Sequence, residues 1–419
     1  MKLAPGSPLS VRLTLDEAGP PLPVGRLAMA DGLAQLEWSS DMLAAPMPVS
    51  PMLYPVERGL HAARGRLFEG LHGFLADSLP EGWGYLVMRR RLARQGMSIE
   101  DLSALDRLAL VGEQGRGALT YAPATTPAPE IASLDLDALA AESVMILAGH
   151  QGALADTLAA LAGGSGGARP KVHVGFDPSG NISVSDGETR AGLEAWIVKF
   201  PAPHDPPDIG PIELAYTAMA SAAGLVVAPC RLLPSRRGPG YFATRRFDRP
   251  VPGRRLHMIS LAGAIESPSH VPSSYDVFMR ATMAITRRAD DVAAAFRRMV
   301  FNVLASNRDD HTRQHAYLMD ADGRWRLSPA YDLTFSAGPG GEHYLDIEGE
   351  GRHPTLSHAR TLAQRHGLGE KPIGASIEEV RGAVEAWPRF AADAGVTRDS
   401  MTAIGKAHVA VSASFFGSA

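Results

Sequence analysis

The chain has 419 residues, 45% hydrophobic and 21% charged, with 41 Lys and Arg against 45 Asp and Glu. That length supports two or three domains with substantial cores. The net charge of −4 excludes binding nucleic acid by overall charge alone, and the single cysteine, Cys230, excludes an internal disulfide and a zinc-type ligand spacing.

One cysteine fits a reducing cytosol. Met1 to Leu15 carries no signal-peptide pattern, and no run approaches the ~20 apolar residues of a membrane span. A cytoplasmic protein with no membrane partner is expected.

The first 60 residues are rich in turns and short apolar runs. Leu9 to Leu15 alternates with period two, and Gly25–Ala30 and Ala34–Trp38 read as further strands of a small antiparallel sheet. The pattern turns helical from Gly73, with helices predicted over Trp83–Gln95 and Ile99–Val111, the second starting at Ser98. Tyr121–Ser133 reads as a linker. Helices over Leu134–Leu147 and Gln151–Leu161 lead into a glycine-rich segment, residues 163–171. Strands follow at Val172–Phe176 and Ala195–Phe200, then a helix over Pro211–Ala223 and a strand over Tyr241–Phe247. Beyond residue 256 the pattern is largely helical: Ser274–Thr286, Ala289–Ala305, Ser376–Ala394 and Arg398–Phe415. The order β-rich, mixed, helical is that of a bilobal enzyme.

The glycine-rich segment lacks the Gly-Lys-Ser/Thr ending of a Walker motif and the Gly-x-Gly-x-x-Gly of dinucleotide folds. Its glycines either let backbone N–H groups approach phosphates or form a plain flexible loop. Lys199 ends an apolar strand, as a kinase phosphate-binding lysine does, and Glu213 opens the next helix as its natural partner. Alone, Lys199 reads equally as an edge-strand lysine and Glu213 as a first-turn acid. The segment Ala243–Arg249, with Arg245 and Phe247, suits a hinge that holds a nucleotide base. The eight arginines between Arg231 and Arg255 also fit a solvated basic surface or a nucleic-acid contact.

Two acidic segments carry the strongest signal. Asn307-Arg308-Asp309-Asp310-His311 follows an apolar helix, and a short strand-like stretch leads to Pro329-Ala330-Tyr331-Asp332. Phosphoryl transfer needs one Asp to orient a hydroxyl and another to hold metal. Asp309 suits the first role, His311 a contact to phosphate or a brace, and Asp332 with Gln314 a magnesium shell of one carboxylate and one amide. A helix-capping Asp309 is the plain alternative. A phosphohydrolase built on Asp309, Asp310, His311 and Asp332 is another.

At these residues the chain resembles the HipA family, the serine/threonine kinase toxins of bacterial toxin–antitoxin pairs. The motifs are residues 77–84, 111–119, 166–171, 246–249, 307–311 and 329–332, in the family's order along most of the chain. The resemblance implies an α+β, bilobal protein-kinase-like fold: residues 1–125 a β-rich N-terminal subdomain, 126–250 a mixed N-lobe, 251–419 an all-helical C-lobe. It implies ATP and Mg²⁺. Ser165, Gly166, Gly167, Lys171, Lys199, Glu213, Arg245 and Phe247 fall in the nucleotide site, Asp309 and His311 in the catalytic segment, Gln314 and Asp332 at the metal. It further implies a protein substrate, of which aminoacyl-tRNA synthetases are the best known, a small helix-turn-helix antitoxin, and DNA reached through that antitoxin.

The chain departs from the family twice. Gln314 stands where the family usually has Asn, which lengthens the side chain by one methylene. The position of the family's autophosphorylated serine falls on Gly164, so Ser165 next to it is the candidate site. These departures also fit a degenerate, nucleotide-binding regulatory module that works with a DNA-binding partner.

Overall fold

The computed structural model describes Leu3 and residues 7–125, 135–150, 152–162, 164, 166–183 and 192–417. Gly163, Ser165 and the linker residues 126–133 lie outside the described residues.

A five-stranded antiparallel sheet opens the fold, in the order Leu60–Ala62, Leu33–Trp38, Leu22–Ala30, Leu9–Leu13, Leu119–Ala122. Period-two alternation buries Leu9, Val11 and Leu13 and turns Ser10 and Arg12 outward. The region predicted as one helix over Ile99–Val111 is divided. A single 3₁₀ turn spans Ile99–Asp101, Leu102 is extended, and the α-helix runs Ala104–Val111. A capping box divides it: Asp106 N–H donates to Ser103 Oγ at 3.1 Å, and Ser103 N–H donates to Asp106 Oδ2 at 2.9 Å.

A second five-stranded sheet has the order Ile182–Ser183, Lys171–Phe176, Glu194–Lys199, Tyr241–Arg245, Cys230–Leu233, with every pairing antiparallel. Its register sets Lys171 directly opposite Lys199. The helix Ile209–Ala222 packs against this sheet, with Pro211 in its first turn.

The C-terminal part is mainly helical and also carries a three-stranded sheet, His257–Ser260, Ala316–Met319 and Trp325–Leu327, so the expectation of an all-helical lobe is corrected there. All four residues of Ala316–Met319 are buried, and a run of four with a tight turn after it suits a buried strand. The single helix predicted over Ser376–Ala394 is two, Glu370–Glu385 and Trp387–Ala394. Pro388 has no N–H to donate to Val384 O, which Ala386 N–H takes instead.

One core cluster runs from the first sheet (Leu9, Leu36) through Phe74 to the C-terminal helices (Phe278, Phe301, Trp387). The second sheet has its own, with Trp83, Val172, Trp196 and Tyr241. The glycines Gly73 and Gly263 meet without side chains between them: a Cβ on Gly73 would lie 2.4 Å from Gly263 O.

The segment joining the two bodies is held by a buried ion cluster. Asp248 accepts from Arg246 Nη2 at 2.7 Å, Arg249 Nη1 at 3.0 Å and Gly117 N–H at 2.8 Å. Arg249 also donates to Gly117 O and Gly115 O, tying the stretch to the first sheet. Arg255 is buried too and pairs with Glu17 at 2.7 Å. Three of the eight arginines between Arg231 and Arg255 are therefore interior, not solvated surface.

Asp248→Ala leaves Arg246 and Arg249 buried without their carboxylate. The expected loss is about 3–5 kcal/mol of unfolding free energy, read from urea denaturation.

Candidate functional site

Between the second sheet and the C-terminal part lies a cleft of about 570 Å³. Its floor is the strand pair that carries Lys171 and Lys199. Like charges placed opposite one another on adjacent strands repel, and burial adds a desolvation penalty for each. The two lysines meet this differently.

Lys199 is paired. Its Nζ lies 2.5 Å from Glu213 Oε2 and also contacts Asp332 Oδ1. Burial works against its charge, yet Asp332 and Glu213 outweigh it and hold the ammonium above the ordinary lysine range. The strand end supplies the lysine and the first turns of the Ile209–Ala222 helix supply the glutamate. Arg169 Nη1, 3.4 Å away, holds the other Glu213 oxygen, and Arg169 Nε lies 3.0 Å from each Asp205 oxygen. Arg169 is thus committed to carboxylates and is not a second cation freed for a phosphate beside Lys171.

Lys171 donates to Gly166 O at 2.6 Å and has no carboxylate partner among the described residues. Burial pushes its pKa down to about 8, and the neighbouring Lys199 and Arg116 add to the depression against Asp332 and Glu213. Gly167 bends over it at a φ of +81°, the left-handed region that favours glycine, and a Cβ there would displace the Lys171 ammonium.

Asp332 enters at a φ of +57° after Ala330, whose N–H donates to Val226 O. One oxygen meets Lys199, and the other accepts from Gln314 Nε2 at 3.1 Å. Burial would raise its pKa, but Lys199 and Lys171 outweigh that and hold it far below the carboxylate range. Asp309 is half-buried, with Oδ1 3.8 Å from His311 Nε2. Burial raises its pKa; His311 opposes the shift and Asp332 reinforces it. Asp309 caps no helix. His311 does, accepting from Arg313 N–H at 3.2 Å ahead of the 3₁₀ turn Thr312–Gln314.

Asp310 is fully enclosed and accepts from Tyr275 Oη at 2.6 Å, His343 Nδ1 at 2.8 Å and Tyr344 N–H at 2.8 Å. It braces the segment from beneath and is not available to a reacting group, which removes a key member of the phosphohydrolase reading. Phe247 and Tyr331 pack at 5.5 Å, and with Ile197, Phe242, Ala330 and Leu333 they supply apolar lining to the cleft. Arg245 lines the cleft, but its guanidinium reaches Glu194 at 3.3 Å and Pro250 O at 2.7 Å.

Ser165 is outside the described residues. Gly166, Gly167, Lys171, Lys199, Glu213, Arg245, Phe247, His311, Gln314 and Asp332 all line the one cleft, with Asp309 beside His311. The sequence reading missed the residues that bolt the N-terminal subdomain to it. Trp83 N–H donates to Gly167 O at 2.9 Å and Trp83 Nε1 to Lys171 O at 3.0 Å. Arg313 joins the segment that follows Asp309 to Asp77 at 3.2 Å and Glu81 at 2.7 Å. Both contacts fall in the motif 77–84, whose position in the chain gave no hint of a role at the site.

Residues 20–122 match the HipA N-terminal domain and residues 163–387 the HipA-like C-terminal domain. A Sinorhizobium fredii protein, Y4mE, whose name gives it a provisional kinase assignment, is 27% identical over 349 residues, which take in 77% of this chain and 72% of that protein. The chain is similar in fold to a solved structure of the Shewanella oneidensis MR-1 toxin–antitoxin system HipA, HipB and its operator DNA. That likeness has a TM-score of 0.69 at 17% identity and covers 98% of this chain and 97% of the other. With the longer domain match alone taking in more than half of its residues, the chain belongs to the HipA family.

Proposed function

We propose that this chain is an ATP- and Mg²⁺-dependent protein kinase that phosphorylates serine or threonine hydroxyls and acts as the toxin of a HipA-type pair. The observation that carries the reading is Lys171, without a carboxylate partner among the described residues, set opposite the Glu213-paired Lys199, with Asp332 at the same cleft and Asp309 beside the cleft residue His311. Lys171, donating only to Gly166 O, is left for an anion that enters the cleft, and a polyphosphate is one. The apolar lining from Phe247, Tyr331, Phe242 and Leu333 suits a planar base.

Asp332 would hold the metal, whose charge would stabilise the phosphates during transfer. Gln314 now directs Nε2 at Asp332; the same amide turned over presents its oxygen. Lys199 would pass from Asp332 to the phosphates while Glu213 keeps its position. Asp309 orients the acceptor hydroxyl and takes its proton as the new O–P bond forms and the bond to the departing ADP breaks. The acceptor is a protein, with an aminoacyl-tRNA synthetase the class the resemblance suggests. The partner is a small helix-turn-helix antitoxin that brings DNA, in keeping with the composition of the Shewanella complex. No helix among the described residues is long and apolar enough to cross a membrane.

A second reading is a nucleotide-binding regulator without turnover. It is favoured by Asp332, both of whose oxygens are occupied by Lys199 and Gln314.

Intact-mass spectrometry with and without ATP and Mg²⁺, on the chain alone and on a mixture of candidate protein substrates, separates the two. Phosphate gain that falls about 10²–10⁴-fold in Asp309→Asn supports the kinase. Nucleotide-induced thermal stabilisation with no phosphate gained by any protein supports the regulator. Lys171 gives an independent check. A bound polyphosphate favours its charged form and raises its pKa from about 8, so binding near pH 8 takes up protons and affinity declines as pH rises further. Calorimetry in buffers of different ionisation enthalpy should show uptake at pH 8 that fades by about pH 6.5, where Lys171 is already charged.

A further inference from the structure

Four arginines line the cleft: Arg116, Arg245, Arg246 and Arg313. Arg245 pairs with Glu194, Arg246 with Asp248, and Arg313 with Asp77 and Glu81. Arg116 has no carboxylate partner among the described residues. Its Nη2 donates to Asp77 O at 2.7 Å, while Nε is buried with no hydrogen-bond partner. The guanidinium lies over Gly166: a Cβ there would sit 3.2 Å from Nη1 and 3.6 Å from Nη2. Gly166 is also the residue whose carbonyl receives Lys171. The partly buried Arg116 and the buried Lys171, neither paired with a carboxylate among the described residues, meet at Gly166 and leave their charges open to an anion.

We propose that Arg116 is a phosphate-binding residue, delivered to the nucleotide site by the N-terminal subdomain, which contacts the polyphosphate at the Gly166–Gly167 turn together with Lys171. The planar guanidinium suits phosphate oxygens, with Asp77 O fixing one edge and the other facing the cleft. The positive field of Arg116 on Lys171 is the unliganded counterpart of that arrangement. The inference rests on the kinase reading above, and extends it: the β-rich subdomain is then part of the nucleotide site as well as its support.

The test is calorimetric titration of the full chain with ATP, inorganic tripolyphosphate and adenosine, for the wild type and Arg116→Gln. Loss of one charge-assisted contact should weaken ATP and tripolyphosphate about 10- to 100-fold and leave adenosine unchanged. Arg116→Lys should recover part of the loss, and it decides the question by the same ranking of ligands if the Gln variant fails to fold. Unchanged ATP and tripolyphosphate affinity in the variants, with normal wild-type binding, overturns the role of Arg116 alone. Equal weakening of ATP and adenosine makes Arg116 a structural residue and overturns it too. A wild-type chain that binds neither ATP nor tripolyphosphate overturns the kinase reading together with this one.

Discussion

Two lysines buried face to face on adjacent strands set the terms for everything around them. Lys171 and Lys199 share one rung of the ladder, so their charges cannot be turned to opposite faces by the pleat. The fold neutralises one and leaves the other exposed to whatever enters the cleft. Glu213 serves the first lysine only because the helix Ile209–Ala222 is pressed against the sheet, and Arg169 keeps that glutamate from swinging away. Asp332 serves it from the other lobe. The charge pattern of the cleft is thus one connected system, in which Asp332, Lys199 and Lys171 shift one another's ionisation.

The N-terminal subdomain is what keeps this system in place. Its core is continuous with that of the C-terminal helices, and the second sheet is packed against the resulting body instead of hanging from a single hinge. Asp248 is the joint. It gathers Arg246, Arg249 and Gly117 into one buried site. A buried ion cluster of this kind adds little net stability over an apolar core, but breaking it is severe. Its value here is in fixing where the sheet ends and the helical part begins.

Much of this was legible beforehand, and for a physical reason. Lys199 ends the strand Glu194–Lys199, Glu213 lies near the start of the helix Ile209–Ala222, and Asp309 and Asp332 lie in the loops that follow the helix Ala289–Leu304 and the strand Trp325–Leu327, so their order along the chain translates into shared position. What the sequence hid were partnerships across long separations. Arg169 stands two residues from Lys171 in sequence, while its ion-pair partners are Asp205 and Glu213. Asp310 looks as available as Asp309, yet Tyr275 and His343 enclose it. The arginines at 246, 249 and 255 look like a basic surface because charge is visible in sequence and burial is not. The breaks at Leu102 and Ala386 were missed for the opposite reason: a cap and a proline lay inside stretches whose apolar period continued across them.

The bond from Trp83 N–H to Gly167 O has a thermodynamic meaning of its own. A phosphate-binding turn that is free in solution must be ordered each time a ligand arrives, and part of the interaction energy is consumed in doing so. Here Gly82 approaches so closely that any side chain on it would strike Gly167 O, and the turn is gripped before any ligand is present. Its conformational entropy is surrendered once, during folding. The glycines of this site therefore act as preorganisation rather than as suppleness, and the subdomain that grips them holds the turn in one shape.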